Sequence, residues 1–139
     1  AAFCSRLHAL ILRHVTRFVF TEVGGFMLMR DMSEYYNLAA ALPPQSEWEE
    51  KFAVLRELPN IYLCAPENLP DFIQGSRLAS LPALLTAKLV SLRADFKQAK
   101  IAKILHLRAE DVEAATHHDS SVTRLARHAI GRHSAEKRG

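Results

Sequence analysis

The chain has 139 residues, 49% of them hydrophobic and 24% charged, with a formal net charge of +3. That length fits one domain or a piece of one, and the apolar share suits a packed core and excludes a disordered chain. No apolar run approaches the roughly 18 residues of a membrane span, since Ala9-Leu10-Ile11-Leu12 is followed at once by Arg13 and His14.

The first residues read as the middle of a helix, with no initiator Met and no basic-then-apolar leader, so a fragment of a longer protein is expected. Phe3, Leu7, Leu10, Ile11, His14, Val15, Phe18 and Val19 step by three and four, which predicts one buried helix face over about residues 3–20. Gly24-Gly25 is expected to close that helix, because glycine reaches the left-handed conformation of a C-cap. These two glycines are the expected helix joint. A second helix follows from Phe26, with Leu28, Met32, Tyr35, Tyr36 and Ala39 inward, until Pro43-Pro44 stops it. Ser46-Glu47-Trp48-Glu49 reads as a capping box. The helix it opens carries Trp48, Phe52, Leu55, Leu58, Ile61, Tyr62 and Leu63, and Pro59 should kink or split it.

Pro66 suits the first turn of a short helix reaching Gln74, with Leu69, Phe72 and Ile73 inward and Gly75 closing it. Ser80 is then expected to cap a long helix from Leu81 to Leu107. Its core stripe is Leu81, Leu84, Leu85, Leu89, Leu92, Phe96 and Ala99. Glu110–Ala115 reads as a helical turn or two, and His117-His118-Asp119 breaks the pattern. Val122, Leu125, Ala126, Ala129 and Ile130 have the spacing of a short amphipathic helix, and the last residues should fray. No segment passes the alternation test for a strand. The expected fold is all-α, an antiparallel bundle of four or five helices over residues 1–107 with a basic extension over 108–139.

The charge is unevenly spread. Residues 1–76 hold six Lys/Arg against nine Asp/Glu, and residues 77–139 hold twelve against six. The basic half points to an acidic partner, a nucleic acid or an anionic membrane as possible counterparts. Arg93, Lys97, Lys100 and Lys103 form the candidate interaction surface. No aromatic row accompanies them, which argues against a single-stranded nucleic-acid platform. Anionic lipid would gain about 1 kcal/mol per basic residue near its surface.

Catalytic and metal chemistry find little footing. Of the seven histidines, His117 and His118 are adjacent, and His128 and His133 are five apart, outside the i,i+4 spacing of a helical zinc pair. His8 and His14 fall on the expected core face. Cys4 and Cys64 lie in apolar stretches, which raises a thiol pKa and fits buried thiols, with a disulfide open as the alternative. Gly24-Gly25 lacks the Lys-Ser/Thr of a phosphate loop, and no nucleophile stands beside a base. No enzyme activity and no cofactor are expected.

Three linked motifs carry a resemblance. They are Val23-Gly24-Gly25-Phe26-Met27-Leu28-Met29-Arg30-Asp31 with Tyr35, then Asn60-Ile61-Tyr62 and Ala65-Pro66-Glu67-Asn68-Leu69, and lastly Ser91-Leu92-Arg93-Ala94-Asp95-Phe96 with Lys97 and Lys100. In this order, over about residues 18–105, they resemble the C-terminal region of the exocyst component five (Sec-ten) family. Pro59 departs from that family's pattern, and residues 106–139 run past its expected end. Fungal recyclin-type proteins, which join an F-box to a similar C-terminal region, are the alternative. The resemblance implies the C-terminal bundle of a helical-rod tether, without catalytic residues, peripheral at the plasma membrane or on secretory vesicles. The implied partners are other exocyst subunits, with small GTPase-linked or SNARE-linked proteins and a weak membrane contact as further candidates.

Overall fold

A computed structural model describes residues 2–41 and 45–116, with side chains from residue 3 to 41 and from 48 onward. The helices are α1 (Ala2–Val15), α2 (Glu22–Ala40), α3 (Gln45–Glu57), α4 (Asn60–Leu63), α5 (Leu69–Gly75), α6 (Ala83–Ser91), α7 (Ile101–Ile104) and α8 (Ala109–Thr116). Two 3₁₀ turns, Pro66–Asn68 and Arg77–Ser80, flank α5. The fold is an all-α bundle. Among the described residues the extended pairing is a single parallel bridge between Phe20 and Arg93.

The core is built around α3 and α4. Phe52, Leu55 and Ile61 come from this pair and Leu58 from the turn between them, and Leu69, Leu78, Leu85, Leu89 and Ile101 meet them from later elements, all fully buried. Pro59 splits the helix as its missing N–H requires, so α3 ends at Glu57 and α4 starts at Asn60. Two contacts hold α3 to its neighbours. The Arg56 guanidinium lies 4.2 Å over the Tyr36 ring of α2. Glu57 accepts from the Arg77 backbone N–H and guanidinium, both at 2.8 Å, which pins the second 3₁₀ turn.

Three boundaries depart from the sequence reading. First, α1 stops at Val15, well short of the glycines. The Thr16 hydroxyl donates to the Arg13 carbonyl at 2.8 Å, and Arg17 and Phe18 turn with 3₁₀-type bonds to His14 and Val15. Second, Gly24 and Gly25 are not the joint between helices. They lie in the first turn of α2, whose N-cap is Thr21, with its hydroxyl accepting from Gly24 N–H at 3.3 Å. Neither glycine has a positive φ.

Third, the long helix expected over 81–107 is three pieces. Ser80 does not cap it; its hydroxyl donates to the Arg77 carbonyl at 2.7 Å, and α6 follows Pro82. After Ser91 the chain turns through residues 92–100 and resumes as α7, with Lys100 and His106 in the left-handed region at φ 53° and 52°. Backbone pairing interrupts the helix, because Phe20 N–H donates to the Leu92 carbonyl at 2.8 Å and Ala94 N–H to the Phe20 carbonyl at 2.9 Å. The apolar period survives the break, and Leu85, Leu89, Leu92 and Phe96 are all buried. α8 packs on α6, held by Lys88 Nζ donating to the Ala115 carbonyl at 2.7 Å. Pro43, Pro44, the side chains of the expected capping box at Ser46 and Glu47, and everything expected of residues 117–139 lie outside the described residues.

Candidate functional site

Arg93, which the charge pattern places on an exposed basic surface, is only 8% exposed. The bridge at Phe20 sets its backbone against α2's approach and sends its side chain under the end of α4. There Nη1 donates to the Ile61 carbonyl at 2.8 Å and to the Cys64 carbonyl at 2.7 Å, two carbonyls that a helix end leaves without intrahelical partners. Nε and Nη2 hold Asp95 as a fork at 2.8 and 2.9 Å. The bond to Asp95 raises the guanidinium's pKa further, and the guanidinium holds the Asp95 carboxyl below the usual carboxylate range. Beside it, the Tyr62 ring stacks on Phe20 at 4.4 Å and its hydroxyl donates to the Leu89 carbonyl at 2.8 Å. Burial pushes the Tyr62 phenol and the Cys64 thiol up, with Arg93 opposing in both cases. This cluster joins three elements and presents no activated nucleophile.

Lys97, Lys100 and Lys103 are exposed, as expected, though not on one long helix. Lys100 N–H donates to the Lys97 carbonyl at 3.2 Å and Lys103 N–H to the Lys100 carbonyl at 3.0 Å. Successive tight turns therefore carry the three ammonium groups. None of the three has an ion pair with another described residue.

An exposed apolar face on α1 and α2 is not legible as a surface in the sequence. Leu10, Phe18, Val19, Val23, Phe26 and Met27 are 47–73% exposed. The α1 stripe that periodicity assigned to the core splits in two. Ile11 and Val15 are buried, with Cys4 and Leu12 beside them, whereas Phe3, Leu10, Phe18 and Val19 face outward and His14 is exposed. Between α1 and α2 runs an apolar groove of about 720 Å³, lined on one side by Leu7, Leu10, Ile11 and Phe18 and on the other by Met27, Leu28, Met32 and Tyr35. Asp31, His14 and Tyr35 bring the polar groups to its lining. One signal in the sequence pointed here: Val23, Phe26, Met27, Leu28 and Met29 are apolar on more than one side of α2, which a helix buried along a single stripe does not need.

His8 packs edge-on to Phe52 with ring centroids 6.4 Å apart, between α1 and α3. Burial, with Lys51 adding to it, lowers its pKa to about 4. Among the described residues no group of His, Cys, Asp and Glu is arranged to hold a metal ion, and no helix is long and apolar enough to cross a membrane. His117, His118, His128 and His133 lie outside the described residues.

The family model described as "Exocyst complex component Sec10-like, alpha-helical bundle" matches residues 2–105. Exocyst complex component 5 of rice is 35% identical over 102 residues, covering 73% of this chain and 12% of the relative. Exocyst complex component SEC10a of Arabidopsis thaliana is 35% identical over 98 residues, 70% of this chain and 11% of the relative. Human Exocyst complex component 5 is 31% identical over 98 residues, 70% and 14% respectively. The chain thus spans 11 to 14% of these relatives' length. No solved structure matches it significantly.

Proposed function

Since the chain belongs to the family of Sec10-like exocyst components, we propose that it is a non-catalytic helical module of an exocyst subunit. In that role it helps the complex hold secretory vesicles at the plasma membrane before SNARE-mediated fusion. The subunit is then cytoplasmic and peripheral at the plasma membrane or vesicle surface. Its principal partners are the other exocyst subunits, with small GTPase-linked or SNARE-linked proteins as further ones. The observation that carries this reading is the broad apolar face on α1 and α2, left open to water. Helix surfaces of that kind bind other helices by burying apolar edges. The names of the relatives favour this reading over the recyclin-type alternative.

The test is affinity capture of the chain from a cell extract with the bound proteins identified by mass spectrometry, at low salt and at 0.5 M salt. Recovery of exocyst subunits under both conditions is expected, because a packed apolar interface survives a Debye length shortened to about 4 Å. Recovery of no exocyst subunit from a folded chain overturns the proposal.

A second reading rests on Lys97, Lys100 and Lys103, exposed on successive turns. These lysines supply a weak contact with anionic lipid. Vesicles rich in phosphatidylserine should bind the chain at low salt and release it at 0.5 M salt. Substituting the three lysines by glutamate should remove this binding without changing the helical signal. Binding that survives both the salt and the substitutions sinks this second reading.

A further inference from the structure

The second 3₁₀ turn, Arg77–Ser80, carries a chemistry that the helices do not. Among the described residues four hydroxyls stand three residues after an arginine or lysine: Thr16 after Arg13, Ser33 after Arg30, Ser80 after Arg77 and Ser91 after Lys88. A basophilic protein kinase reads that spacing. It pairs the basic side chain with carboxylates in its cleft while the acceptor hydroxyl meets ATP. The substrate lies extended in such a cleft, so the surroundings of each hydroxyl decide between the four. Thr16 is 8% exposed, with its hydroxyl bonded to the Arg13 carbonyl. Ser33 is half-buried inside the 19 residues of α2. Ser91 is half-buried at the end of α6, and its Lys88 is held by the Ala115 carbonyl. Ser80 and Arg77 are both exposed.

The backbone favours the same serine. The turn has extended chain on both sides, at Ser76 (φ −110°, ψ 173°) before it and at Leu81 (φ −72°, ψ 149°) and Pro82 (φ −56°, ψ 139°) after it. Pro82 fixes its own φ and keeps Leu81 out of the helical region, so the chain beyond the acceptor already has the form a cleft binds. A single 3₁₀ turn has poorer hydrogen-bond geometry than an α-helix and opens at less cost. Two contacts hold it shut. Leu78 is 1% exposed, anchored in the core. Glu57 takes the Arg77 guanidinium at 2.8 Å, with the two side chains 26% and 50% exposed. Ion pairs this wet are weak, so a kinase's own carboxylates displace Glu57 readily.

The turn also sets what a phosphate would do there. Side chains three apart on a 3₁₀ turn eclipse each other, so Arg77 and Ser80 project from the same side. The Ser80 hydroxyl donates to the Arg77 carbonyl at 2.7 Å. A phosphate ester at neutral pH carries about −1.5 to −2 charges and three acceptor oxygens. It loses that donated bond, and it attracts the neighbouring guanidinium more strongly than the single charge of Glu57 does. We propose that Ser80 is a phosphorylation site for an ATP-dependent protein kinase that reads Arg77, and that the phosphate takes the Arg77 guanidinium from Glu57. In the transfer a bond forms between Ser80 Oγ and the γ-phosphorus of ATP. The bond from that phosphorus to the bridging oxygen breaks, ADP leaves, and the hydroxyl proton passes to the kinase's catalytic aspartate. The site lies apart from the apolar face of α1 and α2 and goes beyond the exocyst-subunit reading, adding a place where the bundle is covalently marked.

The experiment incubates the 139-residue chain, and the full-length subunit, with ATP and the catalytic subunit of cyclic-AMP-dependent protein kinase. Mass spectrometry of the tryptic peptide Leu78–Lys88 locates the phosphate, since its fragments separate Ser80 from Thr86. Phosphate on Ser80 in both proteins is the expected result. Ser80→Ala should abolish it and Arg77→Gln should slow it at least tenfold, with the helical signal unchanged. Glu57→Gln should speed it by about two- to fivefold, the range that an exposed ion pair allows. Gly25→Ala, which strains the bundle away from this turn, should leave the rate as it is. In the phosphorylated chain, phosphorus NMR should show the phosphate's second ionisation below its ordinary value of about 6, because Arg77 favours the dianion. Four results overturn the proposal. They are a full-length subunit without phosphate on Ser80, a rate indifferent to Arg77→Gln, equal acceleration by Gly25→Ala and Glu57→Gln, and a phosphate that titrates at about 6. The third traces the modification to global unfolding rather than to the turn, and the fourth leaves Arg77 with Glu57.

Discussion

Arg93 shows how one side chain closes three elements at once. Its fork on Asp95 and its bonds to the Ile61 and Cys64 carbonyls leave few of its donors unused. Truncation strands two carbonyls at the end of α4 and removes the charge that Asp95 faces. Arg93→Ala should therefore cost about 3 kcal/mol of stability, measurable as a lowered urea midpoint. Arg93→Lys should recover only part of this, since one ammonium does not span the carbonyls and the carboxylate together. His8 gives the residue-scale dependence on pH. In the folded chain its pKa is lowered to about 4, from an ordinary value of 6.5. The unfolded chain therefore binds the extra proton in that interval. Stability is complete above pH 6.5 and declines as pH falls toward 4, by about 2 to 3 kcal/mol in all. Denaturation across this interval should show that slope, and His8→Leu should flatten it.

At the scale of the element, the glycine pair separates two roles that look alike in sequence. A methyl group on Gly24 would meet Phe20 Cδ1 at 3.5 Å and Thr21 Oγ1 at 3.7 Å, ordinary contacts. One on Gly25 would meet Leu63 Cδ2 at 3.0 Å and Tyr62 Cβ at 3.1 Å. The leucine tip can move, but Tyr62 is fixed by its stack on Phe20 and its bond to Leu89. Gly24→Ala should thus stabilise the protein by about 0.5–1 kcal/mol through helix propensity. Gly25→Ala should destabilise it by about 1 kcal/mol, as the forced separation of α2 from α4 outweighs the same gain. Thermal melts of the two single variants in opposite directions check this. The break after Ser91 belongs to the same scale. The apolar spacing of Leu85, Leu89, Leu92 and Phe96 marked the correct inward side chains. The spacing carries no sign that Leu92 and Ala94 would pair with Phe20, some 70 residues earlier, and so it overextended the helix.

Across the whole molecule, the bundle is unevenly consolidated. Its densest packing gathers around α3, α4 and α6, whereas α1 meets the body along one edge and is wet on the rest of its surface. Amide exchange of the 139-residue chain should be at least tenfold faster in α1 than in α3 and α6, because local opening costs less where fewer apolar contacts must part. Comparable protection in α1 would contradict that picture. The sequence by itself determined the all-α class, the split at Pro59 and most of the inward residues of α3 to α6. Each of these follows from local periodicity or from the geometry of a single proline. It also determined the family, through motifs that survive as strings. Tertiary structure alone decided that Arg93 is a buried clamp, that Gly25 marks a close helix approach, and that half of the first apolar stripe faces water. Periodicity says that a helix has an apolar side, but whether a neighbour lies against that side depends on chain segments far away in the sequence.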